Sequence, residues 1–366
     1  VGIHWIYFPL TFDERFYYFI PLLVIIFAAF FSFFFYIPAL ITVIYLQRKD
    51  QGFFTQTLII SIVFFLAEFT RSTILGGFPW NLYAHIWANN ENFILISKYI
   101  GVFGLSFLTI FWVVLVCQYL IKKKYKLFSI NLIFFPILLF TNGLIFKSHQ
   151  AEEKLKVRLV QPNISQEMKW SKDHFEENFN KLIYLSLDNI DEYNKPDLII
   201  WPEVAVPLFL NEKAKIVNIL SDILPPETSL VLGSLRKNER EIFNSLYLIS
   251  KKGIEENYDK MKLVPFGEFM PLRNFVGLKK ITHGTTDFSP GNERKILKIK
   301  KNNQFISFEP SICYEGIFTN RKIKDSNVDF LLNITNDAWF GNTTGPHQHI
   351  MASRFRSIER GVPLIR

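Results

Sequence analysis

Three reactive side chains in this sequence each end an apolar, strand-like run or closely follow one. Glu203 comes after Leu-Ile-Ile-Trp-Pro, and Cys313 ends a run that continues as Tyr314-Glu315. Lys260 lies in the string Tyr-Asp-Lys-Met-Lys-Leu-Val-Pro-Phe-Gly-Glu, which ends at Glu268. A carboxylate, an ammonium and a thiol therefore occur in this order as candidate site residues.

Together these three groups have what acyl transfer requires. A thiol with a pKa near 8.5 is mostly protonated at neutral pH, so a base or a cation must generate the thiolate. A carboxylate can take that proton. An ammonium can stabilise the oxyanion of a tetrahedral intermediate. The set therefore predicts nucleophilic catalysis by Cys313 with no metal and no cofactor.

Each residue alone also has an ordinary structural explanation. A single thiol at a strand end is more often a small core residue, and a single carboxylate or lysine is more often solvated. His347 and His349 leave open a Cys–His hydrolase or a metal site. No second cluster of ligand residues accompanies these histidines and neither ends a strand, so both alternatives are disfavoured.

The C-terminal half has the pattern of an α/β protein, in which short β-branched runs alternate with amphipathic stretches. The predicted strands are 157–164, 197–201, 229–235, 244–250, 304–313 and 328–333. The predicted helices are 172–192, 211–223, 316–324 and 348–359. Residues 148–154 are the predicted hinge after the apolar half.

The N-terminal half has the composition of a membrane domain. The sequence contains 39 Phe among 366 residues, most of them before Lys147. Four apolar stretches, 19–46, 53–70, 94–121 and 127–146, have about the 20 residues that a spanning helix needs. We therefore predict a transmembrane domain at 1–147 and a catalytic domain at 148–366. The opening at Val1 and the ending at Arg366 suggest truncation at both ends.

Positive charge predicts the orientation of these spans. Arg48 and Lys49 lie between spans one and two, and Lys122–Lys124 lie between spans three and four. The positive-inside rule makes both loops cytoplasmic and places the catalytic domain outside, in the periplasm of a bacterium. The net charge of +8 is not arranged as a basic stripe with aromatics, which disfavours nucleic acid as a partner.

Glu68 and Arg71 lie three residues apart at the end of the second span. Their spacing is compatible with an interfacial ion pair or with a polar site that faces lipid headgroups. The third span contains Gly101 and Gly104, which favour close helix contact.

The strings around Glu203, Lys260 and Cys313 resemble those of the nitrilase superfamily, and the whole chain resembles its apolipoprotein N-acyltransferase family. Further matching strings are Gly77-Phe-Pro-Trp80, Gln161-Pro-Asn163-Ile-Ser-Gln166 with Lys169-Trp170, Asn336-Asp-Ala-Trp339-Phe-Gly341 and Gly345-Pro-His-Gln348-His349. The resemblance implies an αββα nitrilase-like sandwich attached to an N-terminal helical transmembrane domain. It also implies a bacterial inner-membrane enzyme.

The resemblance further implies a two-step reaction. Cys313 would take an acyl chain from a phospholipid, with phosphatidylethanolamine as the expected donor. The N-terminal amine of a diacylglyceryl-cysteine lipoprotein would then accept it. Glu203 would serve as general base and acid, and Lys260 as the oxyanion group. A membrane-tethered amidase with water as acceptor, and a catalytically silent scaffold, are the alternatives.

Six other residues complete the predicted site. Glu268, Tyr314 and Glu315 are expected to support the three catalytic groups. Trp170, Trp339 and Trp80 are expected to contact substrate, although packing beside the strand at 328–333 would equally explain Trp339.

Overall fold

The structure is a computed structural model that describes residues 2–12, 14–47, 52–145, 155–191, 193–270, 287–319 and 327–366. The chain forms two compact units. The first comprises Val1–Gln150, Ile317–Thr319 and Thr344–Gly361, and the second comprises Ala151–Gly316, Asn320–Thr343 and Val362–Arg366. Residues 344–361, which the sequence assigns to the catalytic domain, thus pack within the first unit. The predicted boundary at 147/148 and the hinge at 148–154 lie outside the described residues.

The first unit is helical. Its helices are α1 (Glu14–Tyr17), α2 (Ile20–Leu46), α3 (Phe53–Thr73), α4 (Glu91–Ile94), α5 (Ser97–Ile121), α6 (Tyr125–Ile145) and α10 (Gly345–Arg360). Helices α2, α3, α5 and α6 are long and apolar enough to cross a membrane, so each of the four predicted stretches corresponds to a helix of spanning length. Of the two charged loops, Lys122–Lys124 is described, whereas Arg48 and Lys49 lie outside the described residues.

Glu68 and Arg71 are buried and hold the loop that follows α3. The Arg71 guanidinium donates to the carbonyl oxygens of Phe78 and Trp80, at 3.2 and 2.6 Å. A Glu68 carboxylate oxygen accepts the backbone N–H of Tyr83 at 2.6 Å. These contacts indicate that Glu68 and Arg71 fix the backbone of the 78–83 loop. The sequence had suggested an interfacial ion pair or a headgroup-facing polar site instead.

Helix α5 is interrupted at Gly101, whose backbone has φ 69° and ψ 172°. That conformation is essentially restricted to glycine. The break frees the N–H of Val102, which donates to Glu359 Oε1 at 2.7 Å. Glu359 lies in α10 and also pairs with Arg356 at 2.8 Å. Gly101 thus allows a carboxylate to cap the longer part of α5. The sequence had suggested only close packing at this glycine.

The second unit contains the two sheets. Its strands are β1 (Val157–Leu159), β2 (Leu198–Ile200), β3 (Val206–Phe209), β4 (Ser229–Asn238), β5 (Glu241–Ser250), β6 (Gly253–Asp259), β7 (Leu297–Lys301), β8 (Gln304–Ile312), β9 (Phe330–Ile334) and β10 (Leu364–Ile365). Its helices are α7 (Gln166–Lys169), α8 (Phe175–Leu187) and α9 (Ala214–Ile223).

The first sheet has the order β1-β2-β4-β5-β6, with β3 beside β4, and the second has the order β10-β9-β8-β7. Strands β1, β2 and β4 are parallel, as are β8, β9 and β10. One apolar core joins the facing sides of the two sheets, and a second joins the first sheet to α8 and α9. The second unit therefore contains the helix–sheet–sheet layers of the predicted sandwich.

The six predicted strands are present, with shifted ends. Strands β3, β6, β7 and β10 were missed for local reasons. Strand β3 contains Pro207, β6 is mostly polar, β7 carries three lysines and β10 has two residues. The predicted helix at 316–324 is a short 3₁₀ helix, Cys313–Ile317, at its start, and residues 320–326 lie outside the described residues.

We predict that Glu359→Leu destabilises the first unit by about 1–3 kcal/mol, because it leaves the buried Val102 N–H without its acceptor. Glu359→Gln keeps an acceptor oxygen and should lose less. Thermal unfolding of both variants in detergent measures the difference. Equal melting temperatures for the two variants would contradict the capping role.

Candidate active site

The polypeptide turns sharply at Cys313, directly after β8. Cys313 has φ 51°, a left-handed conformation that is uncommon for residues other than glycine. Asn333, on the parallel neighbour β9, donates to the Cys313 carbonyl at 3.2 Å and to Ser311 Oγ at 2.9 Å. A Cβ at Gly316 would lie 2.9 Å from the Asn333 side chain, so this glycine leaves room for the bracing amide.

Glu203 follows β2 at a second sharp turn, where Val204 has φ 46°. Its Oε1 accepts from Asn244 Nδ2 at 2.8 Å, and its Oε2 accepts the backbone N–H of Asn336 at 3.0 Å. Gly233 on β4 passes directly beneath this turn. A Cβ there would lie 2.6 Å from the Glu203 Cα and 2.4 Å from the Val204 nitrogen. Only a residue without a side chain lets the sheet approach so closely.

Lys260 is 1% exposed and lies between two carboxylates. Its Nζ is 2.9 Å from Glu268 Oε1 and 3.3 Å from Glu203 Oε1. Asn244 joins the same carboxylates, donating to Glu268 Oε1 at 3.0 Å. Glu268 Oε2 accepts the backbone N–H of Val264 at 2.8 Å. Such pairing and hydrogen bonding make a buried ammonium tolerable.

Glu315 joins the segment of Cys313 to that of Lys260. It is fully buried, and its carboxylate accepts the N–H groups of Met261, Lys262 and Ile312 at 2.9–3.1 Å. The Tyr258 hydroxyl also lies 3.0 and 3.1 Å from its two oxygens. Through these bonds Glu315 braces the backbone segments that carry Cys313 and Lys260.

The charges of the site favour an ionised Glu203 carboxylate and a protonated Cys313 thiol. Burial opposes the charged form of Glu203, yet the nearby Lys260 and Lys169 charges hold the pKa of its carboxyl below the ordinary value. Burial likewise opposes the charge on Lys260, but Glu203 and Glu268 raise its pKa well above the ordinary value. Burial and the Glu203 charge raise the pKa of the Cys313 thiol, against the effect of Lys260.

The structure therefore brings Glu203 and Glu268 into contact with Lys260, and the charges of Glu203 and Lys260 act on the Cys313 thiol. A carboxylate base, a cation and a thiol can together form and break an acyl-thioester bond. Their catalytic roles stay predictions.

The three tryptophans predicted to contact substrate lie in different units of the chain. Trp170 directly follows α7, and Trp339 lies in a 3₁₀ helix, Asp337–Phe340; both are partly exposed in the second unit. Tyr314 is buried beside Cys313. Trp80 is 1% exposed in the first unit, where its indole N–H donates to Gln348 Oε1 at 2.7 Å. Within that unit its described role is packing.

The two histidines lie in α10, in the first unit, where His349 is buried and packs on Trp80 with ring centroids 5.4 Å apart. Within the described residues, no group of three or more His, Cys, Asp or Glu side chains is placed to hold a metal ion. His349 thus has a packing role in the described contacts, whereas His347 is exposed.

Sequence reasoning missed Asn244, Asn336 and Lys169 as site residues. Asn336 follows strand β9, the same signal that had marked Glu203 and Cys313. Asn244 lies inside a strand and has no local signal. Lys169 donates to the Glu203 carbonyl at 2.9 Å, but a single lysine in a sequence reads as a solvated charge.

Comparison with known families gives two matches along the chain. Residues 156–366 match the carbon-nitrogen hydrolase family, and residues 1–115 match the apolipoprotein N-acyltransferase N-terminal domain. The chain is 36% identical to apolipoprotein N-acyltransferase of Rickettsia prowazekii, with 84% of this chain and 63% of that protein aligned. It is 32% identical to the Brucella suis apolipoprotein N-acyltransferase, over 100% of this chain and 71% of that protein.

A carbon-nitrogen hydrolase superfamily protein from Xanthomonas campestris is a structural neighbour at a TM-score of 0.36 and 16% identity, covering 58% of this chain and 74% of that one. The two family matches and the relatives define a nitrilase-like domain that follows a helical membrane domain. The chain belongs to the carbon-nitrogen hydrolase family and, within it, to the apolipoprotein N-acyltransferases.

We predict that Glu315→Gln destabilises the second unit by about 3 kcal/mol, because the amide nitrogen would face backbone N–H donors in a buried position. Thermal unfolding measures this loss. The exposed Glu256→Gln on β6 is the matched control and should change little. A Glu315→Gln melting temperature equal to that of the control would show that the carboxylate is not the brace described.

Proposed function

We propose that this protein transfers an acyl chain from a phospholipid to the N-terminal amine of a diacylglyceryl-cysteine lipoprotein, through a thioester on Cys313. The observation that carries the proposal is an ionised Glu203, held by Lys260, within electrostatic reach of the Cys313 thiol. The names of the relatives support the substrates. The chain spans 63% of the Rickettsia relative, so the whole reaction is assigned by proposal.

In the first half-reaction the Cys313 sulfur attacks the ester carbonyl of the phospholipid while its proton moves to Glu203. A sulfur–carbon bond forms, and Lys260 stabilises the resulting oxyanion. Collapse of the intermediate breaks the carbon–oxygen ester bond. Glu203 returns its proton to the departing oxygen, which releases a lysophospholipid and leaves the acyl-enzyme.

In the second half-reaction the lipoprotein amine attacks the thioester carbonyl. A nitrogen–carbon bond forms, and Glu203 takes the amine proton. The sulfur–carbon bond then breaks, and the proton passes from Glu203 to the Cys313 sulfur. The products are an amide-linked acyl chain and the resting thiol.

The four apolar helices support a site at a bilayer. An acyl chain costs about 0.8 kcal/mol per CH₂ to expose to water, so an enzyme with a lipid donor and a lipid acceptor gains from lying on the membrane. The cluster Lys122–Lys124 between α5 and α6 supports a cytoplasmic loop there and a periplasmic catalytic domain. We therefore assign the protein to the bacterial inner membrane.

We predict that the protein gains the mass of one fatty acyl group in phosphatidylethanolamine vesicles. Neutral hydroxylamine should remove it, and Cys313→Ala should abolish it. Cys117→Ala, which changes the other cysteine, is the control and should acylate normally. Intact-protein mass spectrometry measures each state.

The fate of that adduct separates the proposed transferase from a tethered hydrolase. A diacylglyceryl-cysteine peptide should discharge it and gain the acyl chain, whereas buffer alone should leave it in place. Rapid loss in buffer would instead identify water as the acceptor. A folded protein that never gains the adduct would refute the thioester step.

We predict that Glu203→Gln slows acyl-enzyme formation by about 10²–10⁴-fold, because it removes the base. The pKa of Glu203 is below its ordinary value, so in the native enzyme the carboxylate should stay ionised as pH falls from 7 to about 5. The rate of single-turnover acylation measures the slowing in Glu203→Gln at pH 7, and its pH dependence between 7 and 5 measures the ionisation of Glu203 in the native enzyme. An acidic limb near pH 6 would contradict the assignment of Glu203 as base.

A further inference from the structure

A second lysine approaches the site from outside the three predicted strings. Lys169 is the last residue of α7, and its Nζ donates to the backbone carbonyl oxygen of Glu203 at 2.9 Å. This bond falls on the turn that aims the Glu203 carboxylate, next to the left-handed Val204. Lys169 can therefore act on the base without replacing any group of the proposed reaction.

The segment that carries Lys169 is fixed on both sides. Ser165 Oγ accepts the Met168 N–H at 3.4 Å, and the Met168 carbonyl accepts from Asn178 Nδ2 at 3.1 Å. Gln166 Oε1 accepts from the side chain of Asn336 at 3.1 Å, and the Asn336 N–H in turn binds Glu203. Asn336 thus links the helical turn α7 to the backbone turn at Glu203 and fixes their relative positions.

The electrostatics agree with this geometry. Burial lowers the pKa of Lys169 to about 8, while the charges of Glu203 and Cys313 oppose that decrease. Lys169 is reciprocally one of the cations that hold the pKa of Glu203 down. Its ammonium therefore interacts with both the base and the nucleophile.

We propose that Lys169 is a positioning residue of the acyl-transfer site, whose ammonium holds the Glu203 turn and stabilises the Glu203 carboxylate and the Cys313 thiolate. The role of Lys169 in acyl transfer rests on the proposed function. Its physical content, the reactivity of the Cys313 sulfur, can be measured without lipid.

The charged groups around this interaction are few within the described residues. Glu203 and Cys313 act directly on Lys169. Lys260 and Asp337 act on Cys313, and Asp337 is itself paired with Arg366 at 2.8 Å. Glu268 pairs with Lys260, and on the segment of Lys169 itself Glu167 and Lys172 are exposed.

The test is the rate at which iodoacetamide alkylates Cys313 in the full chain, followed by intact mass from pH 5 to 10. A Cys117→Ala background leaves Cys313 as the sole thiol. The variants are Lys169→Met, which removes the charge, and Lys169→Arg, which keeps it. Lys172→Met is the matched control, three residues away and exposed. Melting temperatures report whether each variant is folded.

Lys169→Met should alkylate about tenfold more slowly at pH 7, as expected when the pKa of the thiol rises by about one unit. Lys169→Arg should stay within about threefold of the parent, and Lys172→Met should match it. A folded Lys169→Met with the parent's profile would overturn the proposal, because a merely structural contact would not move thiol ionisation.

If Lys169→Met does not fold, Lys169→Arg decides the question. Its guanidinium stays charged above pH 8, where the parent's ammonium is lost, so Lys169→Arg should alkylate faster than the parent between pH 8 and 10. Identical profiles up to pH 10 would overturn the proposal. Absence of an acyl adduct in lipid would instead refute the proposed function and leave this result intact.

Discussion

A buried ammonium imposes the main constraint on the catalytic unit. Lys260 has almost no contact with water, and a charge in that position is stable only when opposite charges and hydrogen bonds surround it. Glu203 and Glu268 supply the charges, and Asn244 ties both carboxylates together. The turn after β2, the interior of β5 and the segment after β6 must consequently meet at one point. Removing either carboxylate would leave part of this charge uncompensated.

Unusual backbone conformations allow those segments to meet. Val204 and Cys313 both adopt left-handed conformations directly after or near strand ends, where a strand would otherwise carry the side chain away from the site. Gly233 lets β4 pass within contact of the Glu203 turn, and Asn333 with Glu315 braces the Cys313 turn. The strain is sustained because the surrounding hydrogen bonds determine each turn from more than one side.

Sequence reasoning succeeded where a signal was local. Four long apolar helices and six apolar strands were recognisable from composition and period. Places near strand ends also singled out Glu203, Lys260 and Cys313, which the structure groups together and whose catalytic roles stay predictions. Strands β6 and β7 were missed because they are polar and only partly buried. Asn244 and Lys169 were missed because their importance comes from tertiary contacts with Glu203, which no pattern in their own segments encodes. Helix α10 was assigned to the catalytic domain, and residues 156–366 match the carbon-nitrogen hydrolase family, while its apolar face packs among helices of the first unit.

In the reaction that we propose, the arrangement of charges explains how a protonated Cys313 thiol would serve as the nucleophile. Two carboxylates and one ammonium carry a net negative charge, which would oppose a separate thiolate beside them. When the proton passes from Cys313 to Glu203, however, the negative charge moves from oxygen to sulfur within the same cluster, and no new charge has to be buried. Lys260 then contacts a neutral acid and turns its field toward the sulfur and the developing oxyanion. With Lys169 added, both forms of the cluster are close to neutral, so a low-dielectric site can hold either without a large desolvation cost. Burial makes a free thiolate unfavourable, but it does not prevent the proposed attack of the sulfur on an ester carbonyl. The condition is that Glu203, Lys260 and Cys313 keep the positions that the surrounding hydrogen bonds impose.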